Sequence, residues 1–310
     1  MRNYNDLLKH VLENGYKGDD RTGVGTLATF GEQLKFDLSK GFPAVTTKKL
    51  AFKSVVAELL WFLRGSTDLN ELRAITHGEE HRYNPEKKTI WDANYEKQGT
   101  ELGYTDGYCG LIYGTQWRGF GLNAVRDADG DLVFLPRLDQ VKAVIKEAQA
   151  NPTSRRLLVE AYNPQLTWEN PTGPQGTELS VDKPILPPCH TGFQINIQGD
   201  KLSLLFKMRS VDVPLGMPFD IASYAVLTHI FCRILNKQPG ELVGQFGNTH
   251  IYLNQIDGIK EQLTRVPYDL PKLWINPELR TLEDFEKATP ADFKLINYLH
   301  HPAIPMPMSA

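Results

Sequence analysis

Four side chains in this sequence have the types from which nucleophilic catalysis can be built: Cys189, Arg209, Asp220 and Glu58. A cysteine at its ordinary pKa of about 8.5 is only a few per cent thiolate at neutral pH, so a nucleophilic thiol needs a cation beside it. Arg209 ends the second of two alternating runs that follow Cys189, and a guanidinium on that adjacent strand supplies the charge. Pro187 and Pro188 hold the backbone extended ahead of the thiol, which presents it at the mouth of a strand rather than inside a core. Taken alone, a single cysteine reads as a small buried hydrophobe. Glu58 lies three residues from Val55 and Trp61 and four from Phe62, along the apolar stripe of a helix over Lys53 to Arg64. A carboxyl buried there is raised toward neutrality and suits proton transfer; the alternative is an ion pair closing the helix surface. Asp220 stands just before a long apolar run, where it either caps a helix or faces a ligand.

The elements that must position these residues follow from periodicity. Leu7, Leu8, Val11 and Leu12 give an amphipathic helix over Asn5 to Asn14, and Leu27 to Phe36 alternates as a strand. Between them runs a polar, glycine-rich loop, Asp19 to Thr26, which reads as a turn or as a cradle of amides and an arginine for a phosphate. A further helix is predicted over Asp139 to Ala150, strands over Gly192 to Ile197 and Leu202 to Phe206, and a long apolar helix over Ile221 to Leu235. His229 and Cys232 fall inside that last helix and read as core. His250 and Tyr252 alternate on a strand and therefore point the same way. Residues 66–108 form a polar, variable lobe and 163–183 an inserted surface loop, within a single domain spanning 1–310.

Composition narrows the partners. The chain has 310 residues, 41% hydrophobic and 23% charged, which fits a soluble globular protein with an extensive core. A net charge of -3 argues against a general nucleic-acid surface and leaves room for a local basic pocket for single nucleotides. The three cysteines, Cys109, Cys189 and Cys232, form neither a disulfide framework nor a zinc motif, so no metal is expected. With no signal peptide and no apolar run of membrane-spanning length, a cytoplasmic protein is expected, in the host cytoplasm if the source is a virus.

Several segments, in order, resemble the thymidylate synthases and their relatives the deoxycytidylate hydroxymethylases. They are Asp20-Arg21-Thr22-Gly23, Ala57-Glu58-Leu59-Leu60-Trp61, Thr89-Ile90-Trp91-Asp92, Ile112-Tyr113-Gly114, Arg155-Arg156, Pro188-Cys189-His190, Arg209-Ser210-Val211-Asp212, Leu215-Gly216-Met217-Pro218-Phe219-Asp220 and His250-Ile251-Tyr252. The resemblance implies an α+β thymidylate synthase fold whose mixed sheet forms a homodimer interface with helices around it. It implies one-carbon transfer from 5,10-methylenetetrahydrofolate, a co-substrate, to C5 of a pyrimidine deoxynucleotide monophosphate. Cys189 would add to C6, with Glu58, Arg209, Tyr113 and His190 completing the catalytic group. Arg21, Arg209, Ser210 and, from the partner subunit, Arg155 and Arg156 would bind phosphate. His250 and Tyr252 would hold the sugar. Ile90, Trp91, Asp212, Leu215, Gly216, Phe219 and the terminal Ala310 would meet the folate. On the residues alone, adjacent arginines such as these more often form a solvated face.

Departures from the synthase pattern set the expected substrate. Asp220 replaces an asparagine that can both donate to and accept from uracil, whereas cytosine presents an amino donor that suits an acceptor. Asp220 and Met208 are hydroxymethylase-like, while His190 is synthase-like. Asn94 stands where a second tryptophan is common, which either admits water beside the folate or is lobe variation. Asn248 replaces a usual aspartate. The expected reaction is conversion of dCMP to 5-hydroxymethyl-dCMP, with methylation of dCMP or of dUMP as alternatives. Intact Cys189, Arg209 and Glu58 speak against a purely RNA-binding regulator.

Overall fold

The computed structural model describes residues 1–121, 124–126, 132–134, 137–168 and 183–308. Six strands form its main sheet: Tyr16–Gly18 (β1), Thr26–Asp37 (β2), Leu158–Glu160 (β3), His190–Gln198 (β4), Lys201–Asp212 (β5) and Gln238–Tyr252 (β6). Their spatial order is β1-β2-β6-β5-β4-β3, with β5 and β6 parallel and the other neighbours antiparallel. The predicted strands are therefore present and longer than the alternation suggested. Nearly all of the predicted inserted loop, at 169–182, lies outside the described residues, as does Ala310.

A helix over Gly216–Ile234 covers one face of the sheet. Along β5 the even-numbered Leu202, Leu204, Phe206 and Met208 are buried, and along β6 Leu242 and Phe246. Tyr224 stacks on Phe206 with ring centroids 4.3 Å apart and planes at 10°. Side chains on a strand keep their face at every second position. Ser210 and Asp212 therefore continue the Phe206 face, and His250 and Tyr252 continue the Phe246 face. Register brings Asp212 opposite His250. The face that is apolar in the middle of the sheet turns polar at the ends of these two strands.

The long helix starts at Gly216, five residues before the predicted Ile221. Proline punctuation hid this start, but Pro218 is the third helical residue, where a missing amide hydrogen costs nothing because the first turn has no intrahelical acceptors. Asp220 consequently sits inside the helix and does not cap it. The other core helix, Phe52–Leu63, is one residue offset from prediction and buries Val55, Val56, Ala57 and Leu59 through Leu63. It packs against Tyr113–Arg118 at Gly114, where an added Cβ would lie 2.8 Å from the Phe62 carbonyl oxygen. That close approach carries Tyr113 toward the start of β4.

A bulge aims the start of β4. Gly192 pairs with Lys207 but His190 pairs with Met208, so Thr191 is an extra residue in the ladder. Its carbonyl is satisfied by the amides of Ala161 and Tyr162, at 2.9 and 3.2 Å. Phe193, Ile195 and Ile197 face the long helix, and unbroken alternation would turn His190 away from it. The bulge reverses that, leaving the His190 ring 5.3 Å from Tyr224.

Truncating Phe206 removes both the stack on Tyr224 and an edge contact to Phe246 at 5.7 Å. Phe206→Ala is expected to lower unfolding free energy by about 3–5 kcal/mol in urea titrations. A loss below about 1 kcal/mol would show that the sheet-helix core does not close at this point.

Candidate active site

Cys189 is pinned from three directions. Its amide donates to the Tyr113 hydroxyl at 2.7 Å, and its carbonyl accepts from the Arg209 amide at 2.9 Å. The Arg209 guanidinium donates to the carbonyls of Pro188 (2.9 Å) and Pro187 (2.8 Å), which leaves Nη2 3.9 Å from the thiol sulfur. The two prolines thus do more than extend the chain: their carbonyls aim the cation. Burial pushes the Cys189 thiol up, Arg209 pulls it down and Asp220 opposes the thiolate, with burial the largest influence. Cys109 and Cys232 are buried, each pushed up to about 12 chiefly by burial, and stay inert thiols.

The thiol opens onto two adjoining hollows, a cleft of about 710 Å³ and a smaller pocket of about 210 Å³, which share Asn94, Leu186, Cys189, Ser210, Val211 and Asp212. Glu58, Trp91, Tyr113, His190 and Asp220 line the smaller one. Glu58 Oε1 accepts from the Trp91 indole at 2.6 Å. Burial raises the Glu58 carboxyl to about 7, against the lowering effects of that bond and of His190. The ion-pair alternative finds no support, since no cation contacts Glu58 among the described residues. His190 lies between two partners: Nε2 is 2.9 Å from Asp220 Oδ1, and Nδ1 is 3.1 Å from the Tyr224 hydroxyl. Asp220 Oδ2 lies on the Gly216 side.

Asp212 stands where the two hollows meet. Burial raises it to about 6, while Gln255 donates to it at 3.0 Å and the Leu215 amide at 3.1 Å. Gln255, 1% exposed, also donates to the Pro307 carbonyl at 3.2 Å and accepts from the Tyr252 amide at 3.0 Å. One amide therefore joins Asp212, the end of β6 and the C-terminal segment, whose Met308 reaches the small pocket. Nearby, Lys48 is buried, lowered to about 8 by desolvation, and donates to the Pro214 carbonyl.

His250 and Tyr252 both line the larger cleft, with rings 5.2 Å apart at 88°. Asn248 Oδ1 accepts from His250 Nδ1 across 2.9 Å, so the residue that replaces aspartate still orients this ring. Arg21 enters the same cleft on the glycine-rich loop. Asp20 ties that loop together, accepting from the Thr22 amide and hydroxyl and, at 2.6 Å, from the Gly25 amide. Positive φ at Gly23 and Gly25, 75° and 81°, makes the turn possible.

Most of the predicted residues converge. Ile90, Gly216 and Phe219 line the small pocket with Trp91, while Leu215 contributes only its amide, to Asp212. Arg155 and Arg156 are exposed ahead of the edge strand β3 and line neither hollow. No local pattern points to Gln98 and Glu101, which wall the larger cleft, to Gln255, or to the Tyr224 contact. Lys48 belonged to a connecting segment without an assigned task.

A family model for thymidylate synthase matches residues 2–310. Thymidylate synthase of Enterobacteria phage T4 is 45% identical over 313 aligned positions, covering 98% of each chain. The crystal structure of thymidylate synthase from T4 phage superposes with a TM-score of 0.83 at 44% identity, over the full length of both chains. Sequence and fold agree from end to end: the chain belongs to the thymidylate synthase family and is a one-carbon transferase acting on a pyrimidine nucleotide.

Proposed function

We propose that this enzyme transfers the one-carbon unit of 5,10-methylenetetrahydrofolate to C5 of dCMP and releases 5-hydroxymethyl-dCMP. The observation that carries the cytosine assignment is Asp220 in the small pocket with one carboxylate oxygen engaged by His190. A carboxylate only accepts, so its other oxygen suits the N4 amino group of cytosine and opposes the O4 oxygen of uracil.

In this reading Cys189 Sγ bonds to C6, which makes C5 the nucleophile toward the methylene carbon supplied by the folate. Arg209 favours the thiolate and, with Arg21 and Ser210, holds phosphate. Tyr113 fixes the Cys189 backbone. Glu58, balanced near neutrality, relays protons through water. His250 and Tyr252 hold the sugar. Asp212, held by the Leu215 amide, meets the donor edge of the pterin, between Ile90, Trp91 and Phe219, with Gly216 on that side. The polar Asn94, at the junction of both hollows, lets water reach the exocyclic methylene once folate departs. Water addition then gives the hydroxymethyl group and the Cys189–C6 bond breaks. Arg155 and Arg156, exposed and lining neither hollow, reach the phosphate of the other subunit in a homodimer, which makes each site dependent on its partner.

That the T4 relative is a thymidylate synthase favours a second reading, methylation of dUMP by hydride transfer, and the retained Trp91 and His190 agree with it. Product mass separates the two. With dCMP and methylenetetrahydrofolate, the nucleotide is expected to gain one formaldehyde unit with no rise in dihydrofolate absorbance. Gain of one methylene with dihydrofolate release would establish methylation instead. Asp220→Asn is expected to move the kcat/KM ratio toward dUMP by at least about tenfold, equivalent to one hydrogen bond. An unchanged ratio removes Asp220 from base reading.

Glu58 supplies a pH signature. Folded Glu58 keeps its proton up to about pH 7, whereas an unfolded glutamate releases it above 4.5. The native state therefore holds the extra proton in that window, and Glu58 costs stability as pH rises from 4.5 to 7, with no further change above. Glu58→Gln is expected to gain stability relative to the parent across that window while kcat falls by about 10²–10⁴-fold. Parallel stability curves for the two proteins would contradict the burial account, and an unaffected kcat would remove the proton relay.

A further inference from the structure

We propose that Tyr224 is a positioning residue for base specificity: its hydroxyl sets the direction of the His190–Asp220 hydrogen bond and so keeps Asp220 an acceptor. The proposal rests on the reading of Asp220 as the residue that faces the base. Tyr224 Oη lies 3.1 Å from His190 Nδ1, and His190 Nε2 lies 2.9 Å from Asp220 Oδ1. Among the described residues that hydroxyl has one hydrogen-bond partner, Nδ1. A phenol carries a single proton, and with one acceptor in reach it donates there. Burial drives the ionisation of Tyr224 well above its ordinary range, so the proton stays on the oxygen.

The consequence follows from the two-nitrogen logic of imidazole. A neutral ring that accepts at Nδ1 carries its own hydrogen at Nε2 and must donate it to Asp220. The hydroxyl cannot swing elsewhere, because the ring is 1% exposed and stacked on Phe206. The Thr191 bulge completes the arrangement by turning His190 onto this face. Without the hydroxyl, nothing fixes the proton at Nε2. In the other neutral tautomer, with its hydrogen at Nδ1, His190 turns a lone pair toward Asp220 Oδ1; the two lone pairs repel, and the carboxylate is no longer held with its other oxygen ready to accept from cytosine N4. Tyr224 touches neither hollow and acts only through His190.

Tyr224→Phe tests this without removing the ring or its stack. Specificity constants for dCMP and dUMP are to be measured for the parent, Tyr224→Phe, Asp220→Asn and the double variant. The expected result is a fall of about tenfold in the dCMP:dUMP ratio for Tyr224→Phe, the size of one hydrogen bond's contribution. In the Asp220→Asn background the same change should leave the ratio where it is, since the route through Asp220 is gone. If Asp220→Asn shifts the ratio while Tyr224→Phe leaves it unchanged, or lowers both constants equally, Tyr224 has only a structural role and the proposal is overturned with base reading intact. An equal shift in both backgrounds also overturns it, because the effect would bypass Asp220. If neither single variant shifts the ratio, the Asp220 reading itself fails.

Discussion

Everything chemical in this enzyme depends on the fixed backbone around Cys189. The thiol lies between two strands, and its amide and carbonyl are both engaged, by the Tyr113 hydroxyl and the Arg209 amide. The guanidinium that should favour the thiolate is itself held by the Pro187 and Pro188 carbonyls. A cation on a long flexible stem is a poor electrostatic partner unless its entropy has already been removed. Here the segment that precedes the nucleophile removes it. Desolvation opposes this cation and is the larger influence, pushing the Cys189 thiol up.

The sheet supplies the second constraint. One face of β5 and β6 packs under the long helix and then, past that helix's first turn, carries Ser210, Asp212, His250 and Tyr252. Rigid core and site are thus continuous pieces of the same strands, which suits groups that must be held to fractions of an ångström. The cost of this economy is visible in Glu58 and Asp212, carboxyls raised to about 7 and about 6 by burial. Both therefore titrate close to neutral pH. Gln255 then links Asp212 to the C-terminal segment, donating to both.

Periodicity disclosed the strands and helices, and Glu58 on an apolar stripe pointed to a raised carboxyl before any coordinates. Alternation likewise put His250 and Tyr252 on one side of one strand. What periodicity missed has physical reasons. Pro218 looks like a helix breaker but is harmless in a first turn, so the start of the long helix was set too late and Asp220 looked like a possible cap. The Thr191 bulge has no signature in residue type, yet it decides which way His190 points. Gln255 and Tyr224 make contacts between segments far apart in sequence, which no local pattern encodes. Arg155 and Arg156 line neither hollow in a single chain, and no local pattern says what they meet.

The most direct measurement is a crystal structure of the enzyme with dCMP bound. The account predicts the free oxygen of Asp220 within about 3.2 Å of the cytosine N4, and Cys189 Sγ in contact with C6. A carboxylate turned away from the ring, with N4 facing solvent or a different acceptor, would contradict the cytosine assignment. A sulfur out of reach of C6 would contradict the nucleophilic role of Cys189 as well.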